Sequence, residues 1–307
     1  MNRSAPRSID EYLKQLRAAL EGEDPALIQD ALYDAEEYLR AEVAAHPQKS
    51  EADVLELISS TYGAPDEVAT AYRDTEVKVK AALRTPPPRR PENPSGLRRF
   101  FSIYLDPRAY TSLFYMLLTL ATGILYFVLV VVGLSMSAGL AVLIIGIPFF
   151  LAFIGITRVI ALGEGRLIEA VTGERMPRRP VHPGAPASWW SRIGAMLSDA
   201  RTWTTLLYFV LMLPLGIIYF AIATVGLTSG VHLALAPLAA LSDSFGWLND
   251  DYGFPYVHQL WFGGTGVVSV LLSVLGVLLV TLVMHLARAI GRGHARLAKA
   301  LLVEPGS

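Results

Sequence analysis

The chain has no cysteine in its 307 residues. That excludes disulfide frameworks, thiolate metal sites, iron–sulfur clusters and thiol nucleophiles. Charge is also scarce: 17% of residues are charged, where a soluble domain carries about a quarter. The shortage is concentrated in particular stretches. From Ala109 to Thr157, 49 residues, there is no Lys, Arg, Asp, Glu or His, and between Arg201 and Arg288 there is no Lys or Arg. No G-x-x-x-x-G-K-[ST], H-E-x-x-H or G-x-S-x-G pattern occurs, and the six histidines are scattered. Phosphate-loop, zinc-protease and serine-hydrolase chemistry therefore have no sequence basis. The expectation is a protein that is not an enzyme, with no cofactor and no catalytic or resident metal site.

What the chain does have is apolar sequence and a segregated charge. Mean hydropathy is +0.42. Residues 1–77 hold 17 acids and 7 bases, whereas residues 78–105 hold 1 acid and 7 bases. The 49-residue run is long enough for two spans of about 20 residues each. Its break is expected at LSMSAG (134–139), with a second hairpin spanning roughly 203–228 and 264–287. The flanks 78–99, 158–201 and 288–299 are basic, and cytoplasmic loops carry the excess of Lys and Arg. Both termini and the central loop are thus expected in the cytoplasm, with the two hairpins pointing out. The opening MNRSAPRSIDEYLKQL has no apolar core, so no cleaved signal peptide is expected.

The two hairpins read as a repeat. At an offset of 93, residues 106–134 match residues 199–227 at 14 of 29 positions, including Asp106/Asp199, Arg108/Arg201, Tyr115/Tyr208 and Gly123/Gly216. The register resumes at an offset of 130, aligning Arg158/Arg288, Gly163/Gly293 and Arg166/Arg296, with 37 extra residues in the second copy. Apolar bias does not account for matched Asp, Arg and Tyr. Two copies of even span number share one orientation, as in parallel-repeat membrane proteins. Backward extension pairs SGLRRFFSIYLD (95–106) with SWWSRIGAMLSD (188–199), each with an aromatic face and basic residues suited to the headgroup region. Each copy is predicted to run in-plane helix, span, span, in-plane helix. The fold class is all-α. A small soluble bundle (1–84) and a proline-rich linker (85–94) precede a four-span domain (95–307), with repeat 1 at 95–174, a linker at 175–187 and repeat 2 at 188–304. The string PRRP occurs in both proline-rich stretches.

Candidate site residues are few. Asp106 and Asp199 sit where N-caps of spans belong, with Pro107 at the first helical position. Arg108 and Arg201 beside them suit either membrane anchors or lipid phosphate. The outer insertion carries His232, Asp243, Asp250, Asp251 and His258, ligand types for a divalent cation or cationic ligand. Its many aromatic residues equally fit an interfacial belt. His285 lies inside the last span, where an ionisable side chain is a functional candidate, although Arg288 one turn on places it near the surface.

Residues 8–76 read as four soluble helices. Ser8 with Glu11, and Ser50 with Asp53, have capping-box spacing, and Asp24-Pro25 opens the second helix. The stripe Ile9, Tyr12, Leu13, Leu16 and Leu20 is matched by Leu27, Ala31, Ala35 and Leu39. Seventeen acids against seven bases over residues 1–77 argue against direct nucleic-acid binding and suit contact with another protein.

Two resemblances follow. Residues 8–76, with a Tyr-Leu-x-x-Leu opening, an acidic second helix and a Gly-x-Pro-x-Glu-x-Ala step (Gly63, Pro65, Glu67, Ala69), resemble the bacterial HAAS signalling domain. Residues 95–304 resemble the sensor membrane domain found ahead of many bacterial sensor histidine kinases, through Asp199–Trp203 and Gly216–Phe220. The resemblance implies a multi-pass signalling protein of the inner membrane, whose partner is a transcription regulator or transporter reached through residues 1–84. The chain departs from the kinase proteins in showing no phosphoacceptor His box followed by an ATP-binding domain, so output is expected through the helical module or a separate partner. A transporter-associated subunit is the alternative, and a lipid-packing sensor a third reading. The bilayer is a partner in each, and homo-oligomers are compatible with all three.

Overall fold

A computed structural model of the chain describes residues 5–83, 96–143, 145–179, 194, 197–238 and 266–303. Among these residues every element is helical. Four helices come first: α1 (Ile9–Ala19), α2 (Pro25–Ala45), α3 (Glu51–Ser59) and α4 (Pro65–Leu83). A short α5 (Gly96–Phe101) and a 3-10 turn (Ser102–Leu105) lead into four long helices. These are α6 (Pro107–Leu140), α7 (Gly146–Thr172), α8 (Ala200–Ala234) and α9 (Gly266–Leu302). The contacts divide the chain into two compact units: residues 1–87, 131–208 and 295–307, and residues 88–130 and 209–294.

The head, α1–α4, forms where the periodicity places it, because its ends are chemically marked. The Ser8 hydroxyl accepts from the Glu11 amide, and Asp24 accepts from the Ala26 amide with Pro25 at the first turn. Ser50 and Asp53 form a reciprocal capping box; each such cap contributes about 1 kcal/mol. Ser8 and Glu11 do not close theirs, since the Glu11 carboxylate turns to the Arg7 amide instead. Tyr12, Leu16, Leu20, Ala31, Ala35, Leu39, Val54 and Ala69 build the core. Tyr12 donates its hydroxyl to the Gly63 carbonyl at 2.8 Å. Gly63 has φ +105°, a conformation that a side chain would strain, so the α3–α4 turn and its anchor are specified together.

Burial drives the phenols of this core upward. Tyr62, stacked on Tyr38 at 4.4 Å, is pushed up to about 12; Tyr12 and Tyr72 are raised further, by burial first, then by Tyr62 and the acids Glu67 and Asp66 for Tyr12 and by the hydrogen bond to Asp34 for Tyr72. A raised folded-state pKa means that the unfolded chain loses its phenolic proton first. Head stability is therefore intact below pH 10 and falls as pH climbs from 10.0 toward about 12. Thermal melts followed by far-UV dichroism should show the head transition dropping over that window, and Tyr62→Phe should flatten the drop.

The four long helices are each long and apolar enough to cross a membrane, and no more than a third of any apolar window is buried against protein. Phe114, Leu117, Ile124, Leu125 and Val128 on α6, like Leu271, Val274, Leu275 and Leu278 on α9, stay exposed. Such apolar faces need lipid rather than water around them. α6 runs through LSMSAG to Leu140, and α7 starts at Gly146. Ser137 donates to the Gly133 carbonyl at 2.6 Å, which satisfies its hydroxyl inside the helix. Gly146 makes the turn there: a Cβ on it would lie 2.4 Å from the Leu140 carbonyl oxygen.

The exit in-plane helices also differ from expectation. Residues 158–172 and 289–302 continue α7 and α9 without a break. They contain no proline, and glycine in a helix costs only about 1 kcal/mol, so nothing stops the propagation. Ahead of α6, the lead-in is the short α5 and 3-10 turn; most of its counterpart at 188–199 lies outside the described residues, as does the linker 85–94.

Candidate functional site

The first unit brings the acidic head onto the basic segment that follows α7. α2 presents Asp30 and Asp34 one turn apart, and α4 adds Glu76. The Asp30 Oδ1 accepts the main-chain N–H groups of Arg178 (2.8 Å) and Arg179 (3.0 Å), while its Oδ2 takes the Arg175 guanidinium at 3.0 Å. Arg175 also pairs with Glu76. Asp30 and Glu76 are 5% and 4% exposed, so these are desolvated charges that depend on complete pairing. Burial pushes the Asp30 carboxyl upward, and the two N–H groups and Arg175 only partly offset it.

Around this centre the contacts are more exposed. Arg179 pairs with Asp34 at 2.9 Å and lies over the Tyr33 ring. Gln29 donates to the Arg179 carbonyl at 2.7 Å and accepts from Arg201 at 2.6 Å. Lys299, near the end of α9, pairs with Asp24 at 2.6 Å. Beneath Gln29 lies a cavity of about 70 Å³, room for a few waters. Its lining mixes polar Thr157, Arg158, Asp199, Arg201 and Thr202 with apolar Ile154, Leu162, Met176 and Leu302.

The Asp-x-Arg residues occupy helix starts. Asp199 accepts the Arg201 amide at 3.0 Å and pairs with Arg158 of α7 at 3.0 Å. In the second unit Asp106 accepts the Arg108 amide at 3.1 Å and pairs with Arg288 of α9 at 2.7 Å. Arg108 is exposed, whereas Arg201 reaches Gln29 and the Leu302 carbonyl. Two buried polar pairs also correspond. The Tyr208 hydroxyl meets Glu164 at 3.3 Å in the first unit, and the Tyr115 hydroxyl meets His294 at 2.8 Å in the second.

Of the remaining sequence candidates, His285 hydrogen-bonds the Phe100 carbonyl at 2.9 Å and stacks on the Phe100 ring. That ties α9 to the lead-in helix within the second unit. His232 is exposed on α8. Asp243, Asp250, Asp251 and His258 lie outside the described residues. Among the described residues no group of three or more His, Asp or Glu could hold a metal ion. Sequence reasoning missed Asp30, Asp34, Glu76 and Arg175–Arg179, because 175–187 reads as a linker. The available signal was charge: RMPRR carries three bases, and the head carries 17 acids within residues 1–77.

The model of the Sensor family, described as "Putative sensor", matches residues 115–302. This is more than half of the chain. The chain belongs to the Sensor family. It is a multi-pass membrane protein whose sensor domain takes in all of α7, α8 and α9 and about three quarters of α6. No curated protein and no solved structure matches it.

Proposed function

We propose that this Sensor-family protein is a non-enzymatic relay in a bacterial inner membrane, with both termini in the cytoplasm. A stimulus from the outer side or the bilayer acts on the spanning helices, and the HAAS-like head carries the change to a protein partner, a transcription regulator or a transporter. The observation that carries this reading is the ion-paired junction around Asp30. It physically couples the head to the end of α7, so a shift of that helix changes what the head can contact. A relay needs such a two-state element. In this orientation the basic flanks 158–201 and 288–299 stay on the cytoplasmic side.

The repeat reading has independent support in the contacts. The pairs Asp199–Arg158 and Asp106–Arg288 are related by the sequence offsets 93 and 130, and so are Tyr208–Glu164 and Tyr115–His294. The Trp203 indole donates to the Leu197 carbonyl, as the Tyr110 hydroxyl does to that of Tyr104. A transporter-associated role is the alternative, but no observation favours it.

Cross-linking in native membranes tests the relay. Tagged full-length chain should retain a partner that a chain lacking residues 1–84 loses; identical captures would overturn the reading. The absence of native cysteine makes Ser4→Cys, Ser307→Cys and Asp250→Cys clean labelling sites. The first two should react from the cytoplasm and the third from outside.

A further inference from the structure

We propose that the Asp30–Asp34–Glu76 face of the head is a receptor groove for a proline-flanked arginine peptide, occupied in cis by Arg175–Arg179, and that the partner competes for it with an arginine segment of its own. This rests on the reading of the head as the partner-facing module and names the chemistry of that partner. The groove recognises a peptide rather than a bare charge. Asp30 accepts two successive main-chain N–H groups and a guanidinium, Gln29 donates to a main-chain carbonyl of the same segment, and Tyr33 backs the Arg179 guanidinium at 5.7 Å. Those are contacts to the main chain at Arg178 and Arg179 and to the side chains of Arg175 and Arg179. Arginine suits them because its planar fork binds carboxylates and stacks on rings, which lysine does less well. Pro177 within the segment and Pro180 after it in the sequence disfavour continuation of the helix.

An occupied groove makes the central segment an intramolecular competitor. Its effective concentration is high because it is tethered at both ends, so an external arginine peptide binds poorly until the segment lets go. A stimulus that moves the end of α7 weakens the competitor and opens the head to its partner.

The test uses full-length protein in nanodiscs and a fluorescent peptide of sequence GERMPRRPVH, copied from residues 173–182. Wild-type protein should bind it weakly. The Arg175→Ala/Arg179→Ala protein should bind at least tenfold more tightly, and adding Asp30→Asn should abolish that gain. Glu37→Gln, at an exposed acid elsewhere on α2, should leave it unchanged. A peptide with all three arginines replaced by glutamine separates groove recognition from any folding defect, and it should not bind. The proposal fails if the double-alanine protein binds no better than wild type, or if the glutamine peptide binds equally well. Either result concerns the groove alone, whereas failure of the relay shows as an absent cross-linked partner.

Discussion

Asn at position 30 is expected to free the 175–179 segment from the head. Asp30 is 5% exposed and answers three donors at once, the Arg178 and Arg179 amides and the Arg175 guanidinium. Removing its charge leaves Arg175 buried against Glu76 alone. Breaking one side of a buried ion pair costs about 3–5 kcal/mol, because the remaining charge stays desolvated. Taking the low end, since Asn keeps one acceptor, about 3 kcal/mol raises the open population roughly a hundredfold. The peripheral pairs do not replace it. Arg179–Asp34 is half-exposed, and exposed pairs contribute about 0–1 kcal/mol. Limited trypsin digestion reads the opening directly, since cleavage tracks the open population when reclosing is fast. Cuts after Arg175 and Arg178 should accelerate sharply in Asp30→Asn and stay slow in Glu37→Gln. Unchanged cleavage with a folded head would mean that the junction does not hold the segment.

The parts of this architecture that sequence reveals are those decided within a few residues. Ser8, Asp24 and the Ser50–Asp53 box satisfy amides two or three positions away, so their spacing is enough to find them. The span count follows from uncharged length, which the bilayer imposes on any chain. The break between α6 and α7 was not legible, because Gly146 approaches Leu140 closely there and the small polar residues just before it stay helical. The junction was hidden for a related reason. Its partners lie about 150 positions apart in the chain, and a proline-arginine stretch has no periodicity to betray that it is docked. Asp199 reads as a cap from its neighbours, but its pairing with Arg158 depends on how helices meet.

Helix approach also underlies the second large effect, expected at Gly123 and Gly216 in the second unit. A Cβ on Gly123 would lie 2.5 Å from the Met212 carbonyl oxygen, and one on Gly216 would lie 2.5 Å from that of Thr119. Real Cβ atoms essentially never come within 3.0 Å of a heavy atom outside their own stretch of chain, and backbone cannot step aside as a flexible side chain does. α6 and α8 therefore touch backbone to backbone, the contact that small residues permit between membrane helices. Tyr126 of α6 also stacks on Phe209 of α8 at 4.5 Å, and Tyr219 packs against the cluster of Met116 and Ala223. Helix propensity alone makes Gly→Ala stabilising by about 1 kcal/mol, which should hold at Gly155, where a Cβ meets nothing within 4 Å. At Gly123 or Gly216 the forced separation costs about 1–3 kcal/mol and reverses the sign. Thermal midpoints in detergent should thus fall for Gly123→Ala and Gly216→Ala, while Gly155→Ala holds or rises. The double variant should lose less than the sum of the two, because one separation of the helices relieves both clashes. If Gly123→Ala instead tracked Gly155→Ala upward, propensity would be deciding both, and the backbone contact between α6 and α8 could not exist.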